Sequence, residues 1–233
     1  MSATTSAQQG RSPTRQTAHP GQVGPPLWLP AISYAGLTIA SVVLGSDTPR
    51  PDASAEAVLE YYRSRGTVAS VTGTIVFAAS IPLAIFTATV HHRLRRLGMT
   101  APGATIGLVG GVLAATGLAL SGLTGWTAAQ VAPMIDPAVA KMLSTFSFGF
   151  GSAGFTVPFA LLLAGVSVPS VILRLLPRPL AVTGLVIAGV GMLSTLMLVF
   201  PPLVVLTPVV RFGGLIWLVV TAFQLPRSRR RRR

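Results

Sequence analysis

Six apolar runs divide this chain, at residues 27–44, 67–90, 104–126, 143–168, 180–200 and 203–225. A water-soluble domain of 233 residues cannot cover that much apolar sequence with polar surface. In hydrocarbon a backbone must satisfy its own N–H and C=O groups, which an α-helix does within one segment. The shortest run, 27–44, reaches ~27 Å at ~1.5 Å per residue, just enough for a thin bilayer core. The sequence therefore predicts an all-α fold, a polytopic transmembrane bundle of six helices.

The charges between the runs give the bundle a direction. All five acidic residues, Asp47, Asp52, Glu56, Glu60 and Asp136, lie in the first and third connections. Arginines without any acid fill the N-terminal tail, the second connection (Arg93, Arg95, Arg96), the fourth (Arg174, Arg178) and the C-terminus. Positive connections stay in the cytoplasm, so both termini are expected there, with 46–66 and 127–142 outside. Trp28 and Trp126 stand at run ends, where aromatic side chains favour the interface.

This topology accounts for a net charge of +13 that would otherwise point to nucleic acid. Mean hydropathy is +0.67 and only 10% of residues are charged, so the basic balance belongs to membrane orientation. Cysteine is absent, which excludes disulfides, thiolate metal sites and cysteine nucleophiles. Asparagine is absent too, removing N-glycosylation, and the preference for arginine over lysine fits a GC-rich bacterial genome. The expected organisation is a disordered cytoplasmic tail (1–26), a six-helix membrane domain (27–226) and a polybasic tail (227–233). The first run starts late and lacks a small-residue cleavage site, so it reads as a retained anchor.

In the first outer connection, Val58, Tyr61 and Tyr62 fall on one helical face and Glu56, Glu60 and Arg63 on another. A short amphipathic helix over 54–65, stopped by Gly66, follows from that spacing. It serves either as an interfacial anchor or as a lid over an outward-facing cavity. A weak repeat links Ile81-Pro82-Leu83-Ala84 to Val157-Pro158-Phe159-Ala160, and Ala104 with Gly107-Leu108-Val109 to Ala181 with Gly184-Leu185-Val186. Spans two–three and four–five would then be copies in one orientation, as in some transporters.

Few residues carry candidate chemistry. Gly149-Phe150-Gly151-Ser152-Ala153-Gly154 matches a dinucleotide-binding spacing, but no strand precedes it and it lies inside a span. Gly149, Gly151 and Gly154 followed by Pro158 predict instead a bent or unwound fourth span, tolerated where backbone is buried or lines a cavity. Pro82 and Pro158 each predict a kink. The remaining glycines, such as Gly107-x-x-x-Gly111 and Gly117, suit close helix packing.

Arg211 is the one charge inside an apolar run. At mid-membrane it would cost ~2.5–3.5 kcal/mol on insertion scales. Either Pro201, Pro202 and Pro208 keep it near the outer interface, where it snorkels, or it forms an anion or lipid-headgroup site. Its possible partners are a carbonyl, Ser194, Thr195, Asp136 or a ligand. His91 and His92 lack companion ligands for a metal, and no span holds a histidine for haem. No embedded acid or base is available to activate a serine or relay protons, so an enzyme is disfavoured and no cofactor is expected. The terminal arginines suit anionic lipid at the cytoplasmic face.

Three segments in order, Glu60-Tyr61-Tyr62-Arg63, the Ile81-Pro82-Leu83-Ala84 span ending in Arg93-Leu94-Arg95-Arg96-Leu97-Gly98, and Leu175-Leu176-Pro177-Arg178-Pro179-Leu180-Ala181, resemble the uncharacterised six-span integral membrane proteins of GC-rich bacteria, a domain of unknown function. The resemblance covers about residues 27–226 and implies the six-span fold but no activity. The functional expectation is a non-enzymatic membrane component binding a partner protein or lipid. The alternative is a small-solute or lipid transporter.

Overall fold

The computed structural model describes residues 26–99 and 101–226. Apart from Pro26, the expected tails at 1–26 and 227–233 lie outside the described residues. Eight α-helices follow in order: α1 (Trp28–Leu44), α2 (Ala55–Ser64), α3 (Gly66–Arg96), α4 (Gly103–Val131), α5 (Pro137–Gly151), α6 (Ala153–Leu173), α7 (Arg178–Leu193) and α8 (Leu206–Gln224). Two 3₁₀ turns, Ser194–Leu198 and Pro201–Val205, join α7 to α8, and no strand occurs among the described residues. Five helical segments are long and apolar enough to cross a membrane, with Trp28–Leu44 a shorter sixth. The all-α bundle of about six spans is thus the observed fold.

Local chemistry fixes several ends. Ser54 accepts a hydrogen bond from the Ala57 N–H to start α2, and Asp136 accepts one from the Val139 N–H to start α5, where Pro137 costs no donor. At the end of α3, Gly98 takes φ 91°, which lets Met99 N–H reach the Leu94 carbonyl and Gly98 N–H reach Arg95. That paired closure satisfies carbonyls the helix leaves open, and it needs a residue tolerant of positive φ. Gly66 does not act as the stop the sequence predicted. Arg65 closes α2 and Gly66 opens α3, because its backbone stays at negative φ.

Helix α4 lies in the centre, packed on α3, α5 and α6, while α1 lies on α3 and α8 and α7 lies on α6 and α8. Glycines allow these approaches. A Cβ on Gly110 would stand 2.7 Å from both Leu162 N and the Pro158 carbonyl oxygen, and one on Gly73 would stand 2.8 Å from the Gly122 carbonyl oxygen. These contacts are with backbone, so no side-chain rotation relieves them. Core side chains converge from α1, α3, α4, α6 and α8, with Tyr34, Leu83, Phe86, Leu118, Phe155, Phe159 and Leu218 all buried. Outside, Ile39, Val43, Ile81, Val109, Leu113, Val186, Ile216 and Phe223 are exposed, an apolar surface suited to a lipid environment.

The repeat has a counterpart in burial. At an offset of 76, Ala79, Ser80, Leu83, Phe86 and Val90 of α3 correspond to Phe155, Thr156, Phe159, Leu162 and Val166 of α6, and all ten are buried. At an offset of 77, Ala104 and Gly107 of α4 correspond to buried Ala181 and Gly184 of α7. Each helix of the α3–α4 hairpin therefore buries positions matched in α6–α7, with a shift of one residue between the two helices. Pro82 and Pro158 occupy matching places inside helices that continue through them.

Candidate functional site

The fourth span is two helices. α5 stops at Gly151, Ser152 adopts φ −95° and ψ −98°, and α6 restarts at Ala153, so the interruption falls between Gly149 and Pro158. It precedes Pro158 by more than a turn. The Phe155 N–H, which a continuous helix would give to the Gly151 carbonyl, goes to Ser152 instead. That leaves the Gly151 carbonyl in need of a donor, and the Arg211 guanidinium supplies it through Nη2. A buried carbonyl left unpaired would cost ~1–3 kcal/mol, so the break and the arginine stabilise each other.

Arg211 reaches it from α8. Pro201–Val205 forms a 3₁₀ turn, and α8 starts at Leu206 with Pro208 inside its first turn, where a missing donor is harmless. The prolines thus shape the entry but do not keep 206–207 out of the helix. Arg211 stands ~7.5 Å from the start of α8 at the usual helical rise. Its side chain turns into the bundle and lies over the Phe155 ring, with Cζ 5.3 Å from the centroid. Phe155 stacks on Phe159 at 4.9 Å, and Phe159 meets Tyr34 at 6.4 Å, giving the guanidinium an aromatic floor. The other partners considered are engaged elsewhere. Ser194 pairs with Thr156 and the Gly191 carbonyl, Thr195 bonds the Met192 carbonyl, and Asp136 caps α5.

Above Arg211 is a cavity of about 200 Å³ on the end of the bundle that carries the acidic connections. Its wall includes Lys141, Ser144, Thr145 and Ser147 of α5, Ser121 of α4, Tyr62 of α2 and Thr48, Pro49 and Pro51 of the first connection. No carboxylate lines it, whereas two cations do. α5 packs on α4, α2 and α6 without an extended contact to α8, so the cavity occupies a gap between α5 and α8.

The amphipathic helix covers this end. Val58, Leu59 and Tyr62 of α2 are buried against Ala69, Ala128, Ala132 and Ala140, and Tyr61 is half-buried. Leu59 joins the face that the sequence placed on Val58 and the tyrosines. Two latches hold it. Lys141 Nζ donates to the carbonyls of Pro51 and Ala53 at 2.6 Å each, and Arg63 donates to the carbonyls of Ala132 and Ile135 at 3.1 and 3.3 Å. Asp47 and Arg65 add an ion pair at 2.7 Å that is open to solvent. Burial raises the Tyr62 phenol above its ordinary pKa, while a hydrogen bond with Ser144 opposes the shift.

The site thus joins Arg211 and Gly151, both picked from sequence, to Lys141, which sequence reasoning passed over. A signal existed: Lys141, Ser144, Thr145 and Phe148 share one helical face, and hydroxyls are dense for the start of a span. Gly149 has open space where its Cβ would be, and a Cβ on Gly154 would stand 3.3 Å from the Gly149 carbonyl oxygen; the α4 crossing beside it needs Gly117, whose Cβ would stand 2.5 Å from the Gly154 carbonyl oxygen. His91 bonds the Ala104 carbonyl, and no group of metal-ligating side chains occurs among the described residues. No protein-family model, curated protein or solved structure matches the chain.

Proposed function

We propose that this multi-pass membrane protein is a non-enzymatic component of a bacterial cell membrane that binds an anion, free or as a lipid headgroup, between Arg211 and Lys141. The observation that carries the reading is a cavity lined by two cations and no carboxylate. A guanidinium has five N–H donors, and Arg211 gives only Nη2 to Gly151 while its buried Nε has no partner. An ammonium has three donors, and Lys141 commits two to the lid. Donors and charge are therefore in excess, and an oxyanion would use both. The charge distribution supports an orientation with the cavity outside and both termini in the cytoplasm, where the terminal arginines would suit anionic lipid.

Transport is the second reading. It is favoured by the broken span beside Arg211 and by the matched α3–α4 and α6–α7 hairpins, features of carriers that bind where a helix is interrupted.

Thermal unfolding of the purified protein in neutral detergent, with inorganic phosphate titrated in, tests the binding reading. A ligand at about 100 times its Kd stabilises by ~2.7 kcal/mol. The wild type should gain several degrees and Arg211→Leu should gain none. An equal gain in both proteins would place the anion elsewhere and sink the reading.

A further inference from the structure

The hydroxyls of the cavity wall narrow the chemistry of the ligand, on the reading that Arg211 and Lys141 hold an anion. Each hydroxyl has one proton to give and two lone pairs to offer. Thr145 Oγ1 donates to the Lys141 carbonyl at 2.8 Å, and Ser152 Oγ donates to the Phe148 carbonyl at 2.6 Å. Ser121 Oγ donates to the Ser147 carbonyl at 2.7 Å, and Ser147 Oγ returns the bond to the Ser121 carbonyl at 2.9 Å. All four protons are committed to backbone, so these residues face the cavity as acceptors.

A bare oxyanion uses only part of that wall. It would find donors on Arg211 and Lys141 but would leave the lone pairs of Ser121, Thr145, Ser147 and Ser152 unmatched. A ligand that carries its own O–H groups beside the anionic centre satisfies both parts of the wall. Space for such a group exists next door. A second cavity of about 80 Å³ shares Thr48, Tyr62, Ser121 and Ser147 with the first and extends between α3 and α4 to Thr72. The Thr72 hydroxyl is buried there without a hydrogen-bond partner. The main cavity is slightly larger than one that accommodates benzene, which limits the ligand to a few heavy atoms around the phosphate.

We infer that the site takes a phosphate ester bearing free hydroxyls, a polyol phosphate of glycerol size, with the phosphate on Arg211 and Lys141 and the hydroxyls on the Ser/Thr wall. The same chemistry arrives either as a free polyol phosphate or as a lipid headgroup entering through the gap between α5 and α8.

Binding of sn-glycerol 3-phosphate and methyl phosphate to the full-length protein in neutral detergent separates the outcomes. The first should bind about tenfold more tightly, the gain of one added hydrogen bond or so. Thr145→Val, isosteric at an exposed position, and Ser147→Ala should each bring the ratio of the two affinities back toward one. Nanodiscs of phosphatidylglycerol against phosphatidic acid repeat the comparison for the lipid source, and stabilisation there without binding of the free ester assigns the ligand to lipid. Equal affinity for the two members of both pairs, or a preference that survives both variants, overturns the hydroxyl inference and leaves the anion site standing. Failure of every phosphate compound to bind overturns both.

Discussion

Gly110→Ala perturbs the close crossing of α4 and α6. The added Cβ would stand 2.5 Å from Leu161 Cβ and 2.7 Å from Leu162 N and the Pro158 carbonyl oxygen. Ordinary contact begins near 3.4 Å, so α4 and α6 must separate by the order of 1 Å, and backbone atoms on both sides cannot rotate away. Overpacking of this kind costs about 1–3 kcal/mol. Replacing glycine by alanine inside a helix returns ~0.8–1 kcal/mol, leaving a net loss of up to about 2 kcal/mol. Gly149→Ala isolates the second term, because nothing lies within 4 Å of its Cβ. Thermal unfolding in one detergent should therefore rank Gly149→Ala at or above wild type and Gly110→Ala below it. α4 carries Ser121 and α6 carries Phe155, so Gly110→Ala should also weaken phosphate binding. If Gly110→Ala unfolds at or above the temperature of Gly149→Ala, the close α4–α6 crossing is wrong.

Three other expectations concern the lid and its orientation. Lys141→Met removes the bonds to Pro51 and Ala53, so hydrogen exchange in residues 50–64 should accelerate while α4 and α6 stay protected; unchanged exchange would mean the lid is held by its apolar face alone. Tyr62 holds its proton more tightly folded than unfolded, so its contribution to stability is complete below the ordinary phenol value of 10.0 and is lost as pH rises from there through the raised folded pKa. Tyr62→Phe should flatten that alkaline loss, and an unaltered pH profile would exclude Tyr62 as its source. Reporter fusions at Gly66 and after Arg233 should report opposite compartments, and one shared compartment would invalidate the proposed orientation.

Hydropathy made the spans visible because the cost of burying polar groups in lipid is steep and local. The runs at 67–90 and 104–126 accordingly became α3 and α4 with only their ends extended. Packing depends on distant partners and was harder to read. The glycines at 149, 151 and 154 signalled a break, but its place at Ser152 depends on Phe155 N–H changing acceptor and Arg211 replacing it. Arg211 stood out as the lone charge in a run; its bond to Gly151 joins residues separated by 60 positions, which no local pattern encodes. Gly66 was misread because turn propensity cannot distinguish a helix end from the start of the next helix. The side of α2 that is buried followed from periodicity, yet whether it met lipid or protein required the alanines of α4 and α5.

The central claim is that an anion sits between Arg211 and Lys141. Crystals of the protein soaked in selenate, whose selenium scatters anomalously, locate such an ion directly. An anomalous peak is expected inside the cavity, within about 4 Å of the Arg211 guanidinium nitrogens and facing Lys141; it should disappear in Arg211→Leu. Peaks confined to the surface arginines, with the cavity unoccupied at saturating selenate, would contradict it.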